Sequence, residues 1–458
     1  MVSSASPSRQ QAVVIGGSIA GLLAARVLAD HFAHVTIIER DQLPDEPIFR
    51  SGVPQARQVH VLLVRGQQLL EQYLPGFTAH LQKRQGHVVS FTDDMRLSAG
   101  DFWLPQFPGT IPFVSCSRSL LEWTVRQEVL RHTNITTMPL QEAIGLLATP
   151  DRTRITGVQV RARDGQAPDA SPTTDVLADL VVDATGRHSL APAWLQALGY
   201  AAPPTTHIDA HIGYATRVVR LPPDATRTWK GIYIMANPPQ SLKGGVMTQL
   251  EGTTDWIVGL VGCGGTYPPT DDAGFLEYVR DLVYPDIYDA IKDAEPLTPI
   301  YGYRDTSNLM HHYDQMRNFP ESLVLVGDAV ATFNPIYGQG MTTATLGAAL
   351  LDKQLRRQST RSLAGLGRRF QRALAKEVAV PWQFSTSGDF RVPGVTGGKP
   401  TFAINMLNSY LDRLYWIMPK SRRAHLAFLN AINMSAPPTA LFHPAILTRV
   451  LFARKPKG

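Results

Sequence analysis

Four apolar residues, Ala12-Val13-Val14-Ile15, run directly into Gly16-Gly17-Ser18-Ile19-Ala20-Gly21, and an apolar helical face follows at Leu22, Leu23, Val27 and Leu28. No other feature constrains the fold as tightly. A short strand with no polar face is buried on both sides, as in a parallel sheet. His34-Val35-Thr36-Ile37-Ile38-Glu39 supplies the next strand and completes a βαβ unit. Gly16 permits the tight turn, and Gly21 lets helix and strand pack closely. Within the same turn, beside Gly17 and Ala20, Ser18 is small enough for the backbone to approach a pyrophosphate at the positive helix N-terminus. Glu39 stands 18 residues past Gly21, where a carboxylate accepts ribose hydroxyl groups. A dinucleotide site is predicted, with NAD and FAD both open.

A distant motif separates the two. Leu323-Val324-Leu325-Val326 is another buried strand and opens onto Gly327-Asp328-Ala329. Asn334-Pro335-Ile336-Tyr337-Gly338-Gln339-Gly340-Met341 then leads into a long helix. Asp328 is suited to accept a hydrogen bond from a ribityl hydroxyl. Gly338 and Gly340 would expose backbone N–H groups near a flavin's pyrimidine edge. A helix N-terminus there stabilises the negative charge of a reduced ring. This pairing of motifs selects FAD.

The 458 residues suffice for about three domain-sized units. With 44% hydrophobic and 18% charged residues, the composition is globular and excludes disorder, a collagen-like fibre and a small disulfide scaffold. Cys116 and Cys263 form no CxxC and are expected as buried, inert thiols. The apolar run from Ala12 to Ala25 resembles a signal-peptide core, but Gly16, Gly17, Ser18 and Gly21 interrupt it. No run reaches membrane-span length. A cytoplasmic protein is expected.

Charge is unevenly spread. From Leu351 onward there are 18 Lys/Arg against 4 Asp/Glu, whereas the first 350 residues carry 26 against 34. A basic C-terminal region on an acidic body suits anionic lipid or an acidic partner, or simply solvated helix faces. Peripheral membrane contact stays open, and no nucleic-acid role is expected. Lys420, Arg422, Arg423, Arg449, Arg454, Lys455 and Lys457 carry much of that charge.

Between the two motifs, a helix is expected from Ala56 to Tyr73, strands at His87 to Thr92 and Ile111 to Cys116, and a helix from Ser117 to Arg131. Arg154 to Arg161 alternates, Asp164-Gly165 reads as a turn, and Asp179 to Asp183 is a buried strand. His207 to Gly262 is β-rich, with strands at His211 to Val219, Gly231 to Met235 and Trp256 to Val261. Helices follow near Ala273 to Val283 and Pro285 to Ala294. His207 and His211 are spaced i,i+4, but in a strand they are only next-but-one neighbours on a face, so no metal is expected. His311-His312 reads as a surface turn.

The paired flavin motifs resemble those of class A FAD-dependent monooxygenases, with the p-hydroxybenzoate hydroxylase-like fold. Phe49 to His60, Asp183-Ala184-Thr185-Gly186-Arg187-His188-Ser189, Gly213 to Arg217 and the segment from Ala436 to Leu451 resemble polyether-type flavin epoxidases and related hydroxylases. The resemblance spans nearly the whole chain. It implies an α/β fold, a Rossmann-like FAD-binding domain of the GR2 type interleaved with a β-sheet substrate domain and followed by a helical C-terminal region. The expected divisions are 1–85, 116–200 and 306–357 for FAD, 86–115 and 201–305 for substrate, and 358–458 for the helical region.

That resemblance also implies roles. FAD is held non-covalently by Gly16, Gly17, Ser18, Ala20, Gly21, Glu39, Arg40, Arg118, Asp183, Gly186, Gly327, Asp328, Pro335, Gly338, Gln339, Gly340 and Met341. Arg118 would contact phosphate or ribityl oxygens, Asp183 to Gly186 would lie near the adenine half, and Arg40 would reach the adenosine. Gly52 to Gln58 would line the outer face of the flavin. Arg57 and His60 are the candidates for proton transfer, with a backbone-satisfied helix-face histidine as the alternative for His60. No catalytic residue is otherwise named, because a flavin C4a-hydroperoxide carries the oxidising power.

The implied reaction is epoxidation or hydroxylation of a lipophilic alkene, polyketide or terpenoid, with O2 as co-substrate and NADPH or NADH as reductant. The DG motif of the benzoate hydroxylases is replaced by Asp183-Ala184-Thr185-Gly186, which leaves open direct reduction or a partner reductase. Alternatives are a flavin-dependent reductase of isoprenoid double bonds and a non-catalytic flavin-binding protein. A halogenase of this fold would carry WxWxIP, which is absent here. Trp229, Tyr233, Trp256 and Tyr214 are expected mainly as core, with an apolar pocket roof as the alternative.

Overall fold

The computed structural model describes residues 9–109, 111–163, 172–222, 227–252, 254–358 and 362–454. The turn at Asp164-Gly165 and the charges at Lys455 and Lys457 lie outside the described residues.

Gln11–Ile15 is central in a five-stranded parallel sheet, flanked by Leu180–Asp183 and His34–Ile38. Leu323–Leu325 and Ile135–Met138 form the two edges. Every residue of Leu180–Asp183 and Leu323–Leu325 is buried, as expected for strands covered on both faces. Ile19–Leu28 packs on Gly340–Arg357, and Arg118–Val129 covers Ile19–Leu28 from another side. Gly21 is obligatory, since a Cβ there would lie 1.8 Å from the Gly16 carbonyl oxygen. Gly16 itself has φ +101°, a left-handed conformation suited to glycine.

An eight-stranded sheet forms the second layer. Its main order is Glu295–Pro296, Gly213–Arg220, Asp255–Gly262, Lys243–Gln249, Gly231–Ile234, Met95–Ala99 and Phe102–Trp103, with Tyr301–Tyr303 also on Gly213–Arg220. Alternation sorts its side chains by face. Ala215, Ile232, Met247, Val258 and Leu260 pack against Asp272–Arg280 and Asp286–Ile291 in one core. Tyr214, Thr216, Tyr233, Val246, Thr248 and Val261 face the other way, into a cavity. Phe402–Ile417, Arg422–Ile432 and Pro444–Leu451 close that side, packed on Met95–Ala99 through Leu411, Leu414, Phe428 and Leu429.

Three local expectations are corrected. The helix expected from Ala56 begins at Val64, after a single 3-10 turn at Pro54–Arg57. Gln58 is extended there (φ −91°, ψ 166°), because Thr216 donates to its Oε1 at 2.6 Å and its Nε2 donates to Tyr301 O at 3.2 Å. His311 ends a strand, Asn308–His311, paired with Thr205–Ile208, so His311-His312 is not a simple surface turn. The strand expected from His211 starts at Gly213, since His211 has φ +48°. Strands at Met95–Ala99, Ile135–Met138, Gln141–Ala148 and Lys243–Gln249 were not anticipated.

Candidate flavin and substrate site

A continuous cavity of about 730 Å³ runs from the first glycine turn to the inner face of the eight-stranded sheet. At the glycine-turn end, Gly16 N donates to Ile38 O at 2.8 Å, continuing the ladder between the two strands into the turn. Glu39 Oε2 accepts from Gly17 N at 2.7 Å, and Glu39 Oε1 from Asp41 N at 2.9 Å. The carboxylate therefore fixes the turn from the strand end, as well as lining the cavity.

Behind the turn lies an ion cluster centred on Arg50. Its Nε donates to Glu122 Oε1 at 2.7 Å, and its guanidinium lies 3.1 Å from Asp41 and 3.3 Å from Glu39. A further bond of 3.3 Å goes to Gly17 O. Glu122 Oε2 accepts from Ser18 Oγ at 2.7 Å and from Arg118 at 2.9 Å. Ser117 caps the helix Arg118–Val129, which sets Arg118 and Glu122 one turn apart. Burial alone would raise the Glu122 carboxyl, but Arg118 and Arg50 hold it down at about 2. Burial pulls the Arg50 guanidinium down, yet Glu122, Glu39 and Asp41 raise it overall.

Farther along the cavity, Asp328 lies in the turn Gly327–Ala329 after Leu323–Leu325 and reaches the wall. Burial pushes its carboxyl up to about 6, against the pull of Arg187 and Arg118. Asn334 Oδ1 accepts from Ile336 N at 3.1 Å and caps the turn Pro335–Tyr337; Gly338 then redirects the chain into Gly340–Arg357. Among the described residues, Gln339 Oε1 and Thr342 Oγ1 are buried without a hydrogen-bond partner. No side chain of the described residues caps the first turn of Ile19–Leu28 or of Gly340–Arg357, and neither turn holds an acid. Open helix N-termini at both ends, and a partnerless acceptor at Gln339, fit a molecule with a pyrophosphate at one end and a ring N–H at the other.

Of the expected cofactor residues, Gly16, Gly17, Ser18, Ala20, Glu39, Arg40, Arg118, Gly186, Asp328, Pro335, Gly338, Gln339, Gly340 and Met341 line this cavity. Gly21 and Gly327 shape the backbone behind the wall. Asp183 is turned inward: its carboxylate is bonded by Thr185 N at 2.9 Å, Thr185 Oγ1 at 2.7 Å and Ser189 Oγ. It organises the turn that carries Gly186. Arg57 is held off the wall, stacked over Phe49 and Tyr301 at 3.9 and 4.4 Å. His60 does line the cavity, in the connecting chain before Val64–Tyr73 rather than on a helix face. Its Nδ1 is 3.0 Å from Gln58 O, and burial beside Arg118 lowers it to about 4, so the ring is neutral.

A second polar cluster, around Asp389, was not anticipated. Its carboxylate accepts from Asn308 Nδ2 at 2.6 Å and from Asn334 Nδ2 at 2.8 Å. Ser385 Oγ and Asn334 N both donate to Asn308 Oδ1, at 2.7 and 2.9 Å. Burial pushes the Asp389 carboxyl up to about 7, despite the bonds from Asn334 and Asn308. The cluster ties the helix Leu366–Asp389 to the Asn334 turn and borders the cavity. Beyond it the chamber is apolar and aromatic, with Tyr214, Tyr233, Tyr337, Phe384 and Tyr415 in its walls. Trp229 and Trp256 instead pack edge to face, with ring centroids 5.4 Å apart, away from the chamber. Both cysteines are buried and free. Burial raises both thiols, Cys263 to about 12.

The family model described as "FAD binding domain" matches residues 9–360. The chain belongs to this family and is a flavin-dependent oxidoreductase by architecture, with the class A fold. Protein Rv3254 of Mycobacterium tuberculosis (strain ATCC 25618 / H37Rv) is 32% identical over 393 residues, covering 83% of this chain and 80% of that protein. The structure of pqsL, described as a probable FAD-dependent monooxygenase from Pseudomonas aeruginosa, superposes with a TM-score of 0.58 at 14% identity, covering 92% of this chain and 99% of pqsL. The flavin-dependent halogenase CmlS gives a TM-score of 0.63 at 17% identity, covering 93% and 77%. At these identities the two structures establish fold alone.

Proposed function

We propose that the protein is a FAD-dependent monooxygenase that inserts one atom of O2 into a lipophilic alkene, polyketide or terpenoid, as an epoxide or a hydroxyl group. The carrying observation is the continuous cavity that joins the glycine turn to the aromatic chamber. When bound, reduced FAD activates O2 and supplies the oxygen atom. In this reading, the turn from Gly16 to Ser18 takes the pyrophosphate, Glu39 and Arg40 the adenosine, and Arg118 and Asp328 the ribityl and phosphate oxygens. The backbone from Gly338 to Met341 faces the ring. Segments 1–85, 116–200 and 306–357 serve the cofactor, 86–115 and 201–305 the substrate, and 358–458 closes the chamber.

The chain's own groups have limited acid–base work in such a reaction. An alkene π-bond attacks oxygen without a base, which suits a chamber walled by apolar and phenolic groups. His60 is neutral and backbone-bound, so it orients rather than shuttles protons. NADPH or NADH is the reductant, used directly or through a partner reductase.

The test is anaerobic reduction of the purified holoprotein by NADPH and NADH, followed by isotopically labelled O2 and a panel of lipophilic alkenes. One labelled atom in the product supports oxygen insertion. Reduction of a double bond with no requirement for O2 would replace this reading with that of a reductase. Flavin that neither nicotinamide reduces would assign the electron supply to a partner.

A further inference from the structure

The helix Phe402–Ile417 has two unlike faces. Leu411 and Tyr415 point into the chamber. About half a turn away, Phe402 and Met406 are exposed at 80% and 59%, and Arg413 continues the same stripe. Arg413 Nη1 donates to Leu451 O at 3.2 Å, which joins this stripe to the end of Pro444–Leu451. There Leu451 and Phe452 are exposed at 58% and 82%. Phe442, also exposed, stacks on Tyr410 of the first helix with centroids 4.8 Å apart. Five large apolar side chains thus stand in solvent on two neighbouring segments, more than isolated surface apolar residues would account for.

The charge along this stretch of chain is almost entirely positive. Across 399–454 the sequence places Lys399, Arg413, Lys420, Arg422, Arg423, Arg449 and Arg454 against a single acid, Asp412. That acid is paired with Arg391 at 2.6 Å. Lys399, Arg413, Lys420, Arg422, Arg423, Arg449 and Arg454 are all exposed. Exposed aromatic and aliphatic side chains on a stretch of chain whose exposed charges are almost all cationic match an interfacial surface for anionic lipid. Among the described residues no helix is long and apolar enough to cross a membrane, so the contact would be peripheral.

We propose that the Phe402–Ile417 helix and the segment from Phe442 to Arg454 dock on an anionic bilayer surface, with Phe402, Met406, Leu451 and Phe452 inserted at the headgroup boundary. Leu411 and Tyr415 sit on the opposite face of the docked helix, so it forms the partition between bilayer and chamber. The contact does not depend on the oxygenation reading, because it concerns only the outer surface.

The experiment uses the full-length holoprotein and sedimentation with vesicles of phosphatidylcholine, with and without phosphatidylserine, at low and high salt. Binding to the phosphatidylserine vesicles that weakens with salt is expected. R413Q and R454Q should each lower the partition coefficient by about fivefold. F402S and F452S should each lower it by about tenfold. All four residues are exposed, so unchanged FAD content and circular dichroism are expected. No binding by the wild-type chain would overturn the proposal, as would binding that the four variants leave intact. A dimer in light scattering that F402S and F452S dissolve, without lipid binding, would assign the face to a second copy and overturn it equally.

Discussion

Replacing Arg50 with Met would test whether the ion cluster, rather than the glycine turn alone, holds the dinucleotide end in shape. Met keeps most of the side-chain volume but leaves Glu39, Asp41 and Glu122 facing one another, with side chains 5 to 7% exposed. Removing one partner of a buried pair costs about 3–5 kcal/mol, and Arg118 compensates only one of the three carboxylates. A loss at the upper end of that range is therefore expected at pH 7, a large fraction of the ~5–15 kcal/mol typical of a folded protein. The pH dependence is distinctive. In the wild type Glu122 is held down at about 2, so its stabilisation is complete above the ordinary carboxylate range and is lost as pH falls towards 2. Without Arg50, which helps hold Glu122 down, the Glu122 carboxyl takes up its proton at higher pH, and that relieves the repulsion in the cluster. The R50M deficit should therefore shrink on going from pH 7 to pH 4. Urea unfolding followed by tryptophan fluorescence at both pH values measures it. A deficit below about 1 kcal/mol at pH 7, or one that stays constant with pH, would refute the assignment of Arg50 as the charge that neutralises this cluster.

Gly21→Ala should disrupt FAD binding and destabilise the chain by several kcal/mol, because its Cβ would lie 1.8 Å from the Gly16 carbonyl oxygen and force helix from strand; FAD retention on gel filtration and thermal unfolding measure both effects. Asp328→Ala should lower FAD content far more than apoprotein stability, since the carboxyl borders the cavity; full flavin retention would remove Asp328 from the cofactor site. The Asp389 carboxyl, raised to about 7, favours its neutral form in the folded state, so wild-type stability should fall as pH rises from about 4 through 7. The full linkage is on the order of 4 kcal/mol, and D389N should flatten the profile in that window. Equal slopes for the two proteins in urea titrations at pH 5 and pH 8 would show that Asp389 does not set them.

What the sequence disclosed depended on whether the signal was local. Residues 12–15 and Leu323–Leu325 were legible because they are buried throughout and apolar without a break. Ile135–Met138 was not, because only Ile135 of this strand is buried and the polar pair Thr136-Thr137 breaks its apolar run. Lys243–Gln249 was hidden for a different reason: its Lys243, Gly244 and Gly245 weaken strand propensity, and only pairing with two neighbours makes it a strand. The cofactor turns carry their own glycines and could be read directly. Arg50 and Asp389 could not, since Arg50 meets Glu122 across 72 positions and Asp389 meets Asn334 and Asn308 across 55 and 81. Neither spacing leaves a periodic trace. The chamber follows the same logic. Tyr214 and Tyr233 face it while their neighbours Ala215 and Ile232 are core, and strand alternation permits either assignment until the register with Asp255–Gly262 and Lys243–Gln249 is known. The glycine turns at one end of the cavity were therefore legible as motifs, whereas its aromatic end is a property of sheet register and of the C-terminal helices that cover it.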